Sequence, residues 1–116
     1  LKNQYPDILI WAVEPENAAI LSGGSIGTHL QMGIGDSLIP DNLNTAIYSD
    51  ICIITDEEAL ATAKRLAREE GLMCGISSGT NVAAAIKMAK KLGRGKRVVT
   101  ILPDTGERYF STELFD

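Results

Sequence analysis

Residues 51–71 read ICIITDEEALATAKRLAREEG. The stretch opens on a four-residue apolar run, 51–54, of a length and composition that suit a strand. Thr55 comes next. Its hydroxyl is placed to accept the Glu58 N–H while the Glu58 carboxylate reaches back, a capping box, and Asp56, Glu57 and Glu58 put acid where a helix dipole is positive. Ala59, Leu60, Ala63, Leu66 and Ala67 then recur on one helical face, with Lys64, Arg65, Arg68 and Glu69 turned to water. Gly71 ends the helix. A strand that passes within one residue into a capped amphipathic helix is half of a parallel crossover unit.

The neighbouring sequence extends this pattern in both directions. Residues 8–13 (ILIWAV) form a continuous apolar run ended by Glu14 and Pro15, which predicts a strand covered on both faces. Between 17 and 44 the chain carries Gly23, Gly24, Gly27, Gly33, Gly35 and Pro40 with no sustained period, a long irregular connection. Loops of that length are either functional or simple surface crossovers. Downstream, 72–76 is short and apolar and predicts a strand, with Ser77, Ser78 and Gly79 leading into a helix over 80–92 built on Val82, Ala83, Ile86 and Ala89. Gly93 and Gly95 end that helix. Residues 97–102 (RVVTIL) predict the last strand, stopped by Pro103. The fold class is therefore α/β, a Rossmann-like, mostly parallel sheet with helical crossovers. The residues before Tyr5 read as the tail of a helix, and a further helix is predicted to begin near Ser111, so the chain reads as one partial domain over 1–116.

Composition narrows the function. Apolar residues make up 45% and charged residues 22%, an ordinary globular mixture. The net charge of −4, with basic residues scattered along helices, lacks the footprint of a nucleic-acid partner. No apolar run is of membrane-spanning length, and the sequence from Leu1 onward lacks the basic, apolar, small-residue order of an export signal. These features predict a cytoplasmic protein. Cys52 and Cys74 are too far apart for a CxxC motif and are expected to be buried thiols. His29, the one histidine, has no companion ligands, so no metal site is expected.

Two segments have the placement for chemistry. Residues 75–79 (GISSG) bring two hydroxyls and backbone amides to a strand-to-helix junction, where a phosphate, a carboxylate or a ring nitrogen can bind. The alternative is that Ser77 or Ser78 merely caps the following helix. No GxSxG elbow is present, so a serine nucleophile is not indicated, and no GxGxxG fingerprint follows a strand. Residues 103–109 (PDTGERY) follow the last predicted strand, with Asp104 free to accept hydrogen bonds and Glu107 able to pair with Arg108.

Taken together, VEPENAAILSGG (13–24), GIGDSLIPDNLN (33–44), ITDEEA (54–59), GLMCGISSGTNVAAA (71–85) and ILPDTGERYFST (101–112) resemble the carboxy-terminal part of the cysteine synthase (O-acetylserine sulfhydrylase) family. The five segments agree in order and spacing across nearly the whole chain. The resemblance implies an incomplete part of the larger domain of a fold-type-II pyridoxal-phosphate enzyme. It implies that Ser77 donates to the pyridine nitrogen of pyridoxal 5'-phosphate, that the Gly33 turn lies near cofactor and substrate, and that Pro103 and Asp104 are cofactor-adjacent. It also implies O-acetylserine and sulfide as substrates, a homodimer when complete, and a Schiff-base lysine in the missing part, since none of the six lysines has the family's lysine context. The isolated chain is then expected to be inactive. Cystathionine β-synthase and O-phosphoserine sulfhydrylase share much of the pattern and stay open as alternatives, as does a non-catalytic assembly module. Departures fall at Leu30 to Met32, at Asp36 and Ser37, and at Asp104 and Thr105, where the family often has other residues.

Overall fold

The computed structural model describes residues 1–35, 38–109, 111 and 114. In chain order the elements are strand β1 (Trp11–Pro15), two single 3-10 turns (Glu16–Ala18 and Ile20–Ser22), strand β2 (Asp50–Ile54), helix α1 (Asp56–Glu70), helix α2 (Ile76–Leu92) and a third 3-10 turn (Gly106–Tyr109). β1 and β2 pair in parallel, with Val13 opposite Cys52 and Pro15 opposite Ile54. A parallel pair needs a crossover, and residues 16–49 supply it as the irregular connection the glycine spacing predicts.

The side chains explain where the core lies. Cys52 and Ile54 are buried while Ile53, between them, is 40% exposed, so β2 is covered on one face only. Trp11 and Val13 of β1 are likewise half-buried, unlike the doubly covered strand that an apolar run of this kind predicts. The covered face carries α2, which packs on both strands and on α1. Ile54, Ala59, Ala63, Ile76, Ala83 and Ala84 form the centre of this cluster with Tyr109. The seam between the helices is made of small residues and has no room to spare. A Cβ added at Gly79 would fall on Ala59 O, 2.8 Å from Ala63 N and 2.9 Å from Ala63 Cβ.

Helix α1 begins as its sequence dictates. Glu58 N donates to Thr55 Oγ1 at 3.1 Å, Thr55 N donates to Glu58 Oε2 at 3.0 Å, and Gly71 closes the helix in the left-handed region at φ +69°. Glu58 also takes a 2.7 Å ion pair from Lys87 of α2. That ammonium first, and then the Thr55 N–H, hold the Glu58 carboxyl below its ordinary range. Thr55→Ala is expected to lower stability by about 1 kcal/mol, read from the denaturant midpoint; an unmoved midpoint refutes a working cap.

Two predicted strands are absent. Residues 72–76 make only an isolated antiparallel bridge, Cys74 with Thr105, and Leu72 and Met73 are exposed. Residues 97–102 run without a ladder; Val99 is 84% and Ile101 71% exposed, and Ile101 O accepts only Asn81 Nδ2 at 2.9 Å. Apolar, β-branched sequence becomes strand only beside a chain that offers complementary N–H and C=O groups. Among the described residues no strand pairs with 97–102. At the start, Gln4 and Tyr5 both donate to Leu1 O, one turn and no helix. The helix predicted from Ser111 falls mainly outside the described residues. Among the described residues no helix is long and apolar enough to cross a membrane.

Candidate cofactor site

The two helices begin in opposite ways. α1 has three acids in its first turn and a complete capping box. α2 has neither: its N-cap is Gly75, which offers no side chain, and its first turn carries no acid. Ser77 and Ser78 therefore are not caps. They lie inside the first helical turn, which starts at Ile76 and not near Thr80. The shift follows from packing, because Gly79 and Thr80 must be helical to meet α1 and the connection preceding it.

Residues 74–80 are all buried. Gly79 N donates to Gly75 O at 3.3 Å, while among the described residues the amides of Ile76, Ser77 and Ser78 have no acceptor. Ser77 is 3% exposed, and its hydroxyl has no partner among the described residues. Ser78 Oγ and Asp104 Oδ1 are also buried without hydrogen bonds. The Ser78 hydroxyl lies beside the Cys74 thiol. Burial pushes that thiol up, the nearby hydroxyl working against it. Cys52 is likewise buried and its thiol raised by burial. Buried polar atoms are nearly always paired, so two orphans around one helix start, beside the Ser77 hydroxyl, mark a place made for something else. An unpaired hydroxyl donor beside free amides at the positive end of a helix fits a group that presents a ring nitrogen or another acceptor.

Two segments flank this turn. On one side, Thr80 Oγ1 donates to Gln31 Oε1 at 2.8 Å, joining α2 to the loop that carries Gly33. Gly33 is exposed at φ +88°, and a Cβ there would meet nothing within 4 Å, so the turn borders open space. On the other side, Gly75 N donates to Asp104 O at 3.3 Å, and a Cβ on Gly75 would fall on the Asp104 carboxylate and 2.6 Å from Tyr109 Cε2.

The family model described as pyridoxal-phosphate dependent enzyme matches residues 1–104. The chain belongs to that family. A cysteine synthase of Staphylococcus aureus is 50% identical over 115 residues, 99% of this chain and 37% of the relative. A probable cysteine synthase of Bacillus subtilis is 47% identical, again over 99% of this chain and 37% of the relative. The solved cysteine synthase from Entamoeba histolytica superposes with a TM-score of 0.95 at 40% identity, covering 99% of this chain and 34% of that one. An O-acetylserine dependent cystathionine β-synthase from Helicobacter pylori gives 0.89 at 40% identity, covering 99% and 37%. The chain thus spans 37% of the length of the curated relatives it matches.

Within this pyridoxal-phosphate family member, the residues singled out from sequence are brought together unevenly. Ser77 and Asp104 meet through Gly75, and the Gly33 loop reaches the same helix through Gln31. Pro103 is exposed and makes no contact with Ser77 that the hydrogen bonds reveal. Asp104 is engaged on its own account: Tyr109 Oη donates to its Oδ2, and Arg108 Nη1 lies 3.8 Å from the same oxygen. Arg108 therefore does not pair with Glu107, which instead accepts from Thr105 Oγ1 at 3.0 Å. Residues 36 and 37, read from the sequence as departures from the family pattern, lie outside the described residues.

Two polar residues escaped the sequence reading. Glu14 is buried and accepts from Leu21 N at 2.6 Å, Ser22 N at 3.3 Å and Ser22 Oγ at 3.0 Å, fixing the entry to the glycine connection. The other is Gln31. A glutamate directly after an apolar run is a usable signal; Gln31 offers none.

Burial first, and then the Asp104 carboxylate, push the Tyr109 hydroxyl up to about 12 from its ordinary 10.0. A pKa raised on folding contributes stability that is complete below the unfolded value and is lost as pH rises through the folded one. Stability is therefore expected to fall between pH 10.0 and about 12. Tyr109→Phe is expected to remove that alkaline dependence and to cost about 1 kcal/mol at neutral pH, read from urea midpoints. An alkaline limb that survives the substitution assigns the effect elsewhere.

Proposed function

We propose that this chain supplies the face that holds the cofactor ring in a pyridoxal-phosphate-dependent cysteine synthase, which makes L-cysteine from O-acetylserine and sulfide by β-replacement. The observation that carries the reading is the uncapped start of α2 with a buried Ser77 whose hydroxyl has no partner among the described residues, in a chain 50% identical to a cysteine synthase. When bound, pyridoxal phosphate supplies the electron sink that labilises the substrate's α-proton and β-substituent. Ser77 would hold the ring by donating a hydrogen bond from its hydroxyl to the pyridine nitrogen. A neutral donor leaves that nitrogen largely unprotonated, which suits elimination and addition at the β-carbon better than transamination. The Gly33 turn lets backbone approach the amino acid, and Pro103 and Asp104 support the ring's side of the cleft.

The base that moves the α-proton belongs to the rest of the protein. Here Lys87 is paired with Glu58, Lys91 lies 3.6 Å from Asp50, and Lys2 donates to Ile8 O at 2.9 Å, all remote in role from Ser77. The chain alone is accordingly expected to show no turnover, and the complete protein to act as a homodimer. A second reading, in which a thiol amino acid replaces sulfide, is favoured by the likeness to the Helicobacter pylori enzyme.

The test is an absorbance titration with pyridoxal phosphate of the chain alone and of the chain joined to the remaining part of the protein. A visible-edge band and sulfide-dependent cysteine formation only in the joined protein agree with the proposal. Product formation from homocysteine and not from sulfide selects the second reading. A folded, joined protein that shows neither leaves the chain an assembly module.

A further inference from the structure

The Gly33 turn and the first turn of α2 come from distant parts of the sequence, yet one side chain joins them. Gln31 is 1% exposed. Its Nε2 donates to Ile54 O at 3.0 Å and to Asp56 Oδ1 at 2.9 Å, and its Oε1 accepts Thr80 Oγ1 at 2.8 Å. The amide can sit only this way round, because a flip sets its oxygen against a carbonyl and a carboxylate. The backbone is held beside it: Leu30 N donates to Asp56 Oδ2 at 3.0 Å.

The rest of the turn is closed by His29. Gln31 N donates to His29 Nδ1 at 3.1 Å, which leaves the ring proton on Nε2, 3.2 Å from Gly35 O. Gly35, at φ +65°, lies against Pro15 at the end of β1. Residues 29–35 thus behave as one closed piece with Gln31 as its anchor on α2. Thr80 follows Ser77 by three residues, so the two are neighbours on the helix surface.

We infer that Gln31 is a positioning residue: through Thr80 it fixes the spacing between the Gly33 turn and the turn of α2 that carries Ser77. The inference rests on the proposed cofactor site and deepens it, assigning to Gln31 and Thr80 the fit of the amino-acid substrate against the ring. Neither residue touches the reacting atoms.

The complete protein is compared with its Gln31→Met, Thr80→Val, double and Thr80→Ser variants. Three quantities are read with pyridoxal phosphate bound: the O-acetylserine concentration that half-saturates the visible absorbance change, KM and kcat. Thr80→Val is expected to raise half-saturation and KM about tenfold, the effect of one buried hydrogen bond on an equilibrium, with little change in kcat, and Gln31→Met, which also leaves Ile54 O and Asp56 unpaired, to raise them at least as much. The double variant is expected to be no worse than Gln31→Met alone, and Thr80→Ser, which keeps the hydroxyl, to resemble the parent. Multiplying effects, or a serine variant as impaired as the valine one, overturn the proposal.

A second arm uses cofactor-free protein and hydrogen exchange. Amides 30–35 are expected to exchange faster in Thr80→Val than in Thr80→Ser, with α1 unchanged; equal exchange overturns the coupling. If the parent protein shows no spectral response to cofactor or amino acid, the functional reading fails, and the exchange arm still decides whether Gln31 joins the two turns.

Discussion

Replacing Gly79 with alanine is expected to destabilise the protein by about 3 kcal/mol, the upper range for forcing extra volume into a packed interior. Helix propensity alone argues the other way, since alanine in place of a helical glycine is worth about 1 kcal/mol. The sign is reversed by what the new methyl meets. Ala59 O and Ala63 N are backbone atoms inside α1, and they cannot rotate aside as a side-chain tip can. The helices must separate, which opens a seam made of Ala59, Ala63 and Ala83. A denaturant titration measures the outcome. A gain in stability contradicts the close approach of α1 and α2.

Gln31→Glu is the second large effect, also about 3 kcal/mol at neutral pH, because it leaves a buried charge without a partner. The substitution exchanges the Nε2 donor for an oxygen that faces Ile54 O and the Asp56 carboxylate. Two acceptors lose their hydrogen and gain a repelling neighbour. Burial and Asp56 together raise the pKa of the introduced carboxyl above its unfolded value of ~4.3. A raised pKa places the recovered stability at low pH and the loss on the rising side. The variant is therefore expected to approach the parent's stability as pH falls toward ~4.3, and to diverge from it above. A constant difference across that range contradicts the buried site.

How far the sequence is readable depends on how local each determinant is. The start of α1 was legible because Thr55 and Glu58 hold each other across three residues. β1 and β2 were legible as apolar runs, and Gly71 and Gly93 as helix ends. The strands expected over 72–76 and 97–102 failed because a ladder is a property of two segments and their sequences describe only one. The start of α2 was placed late because Ser77, Ser78 and Gly79 are poor helix formers, and only contact with Ala59 and Ala63 reveals why they are helical. At the site, GISSG was visible as a motif, and the family resemblance singled out Ser77. Gln31 was invisible, since its partners lie 23, 25 and 49 residues away.

The parallel pairing of β1 with β2 has a kinetic counterpart. Val13 and Cys52 can meet only after residues 16–49 have been gathered between them, whereas α1 and α2 are joined by residues 71–75. Closing the longer loop costs more chain entropy before any contact rewards it. The helical hairpin is thus expected to form before the strand pair. In folding-rate measurements, mutations along the Ala59–Gly79 seam are expected to slow the approach to the native state, and those in β1 to act chiefly on the rate of its loss.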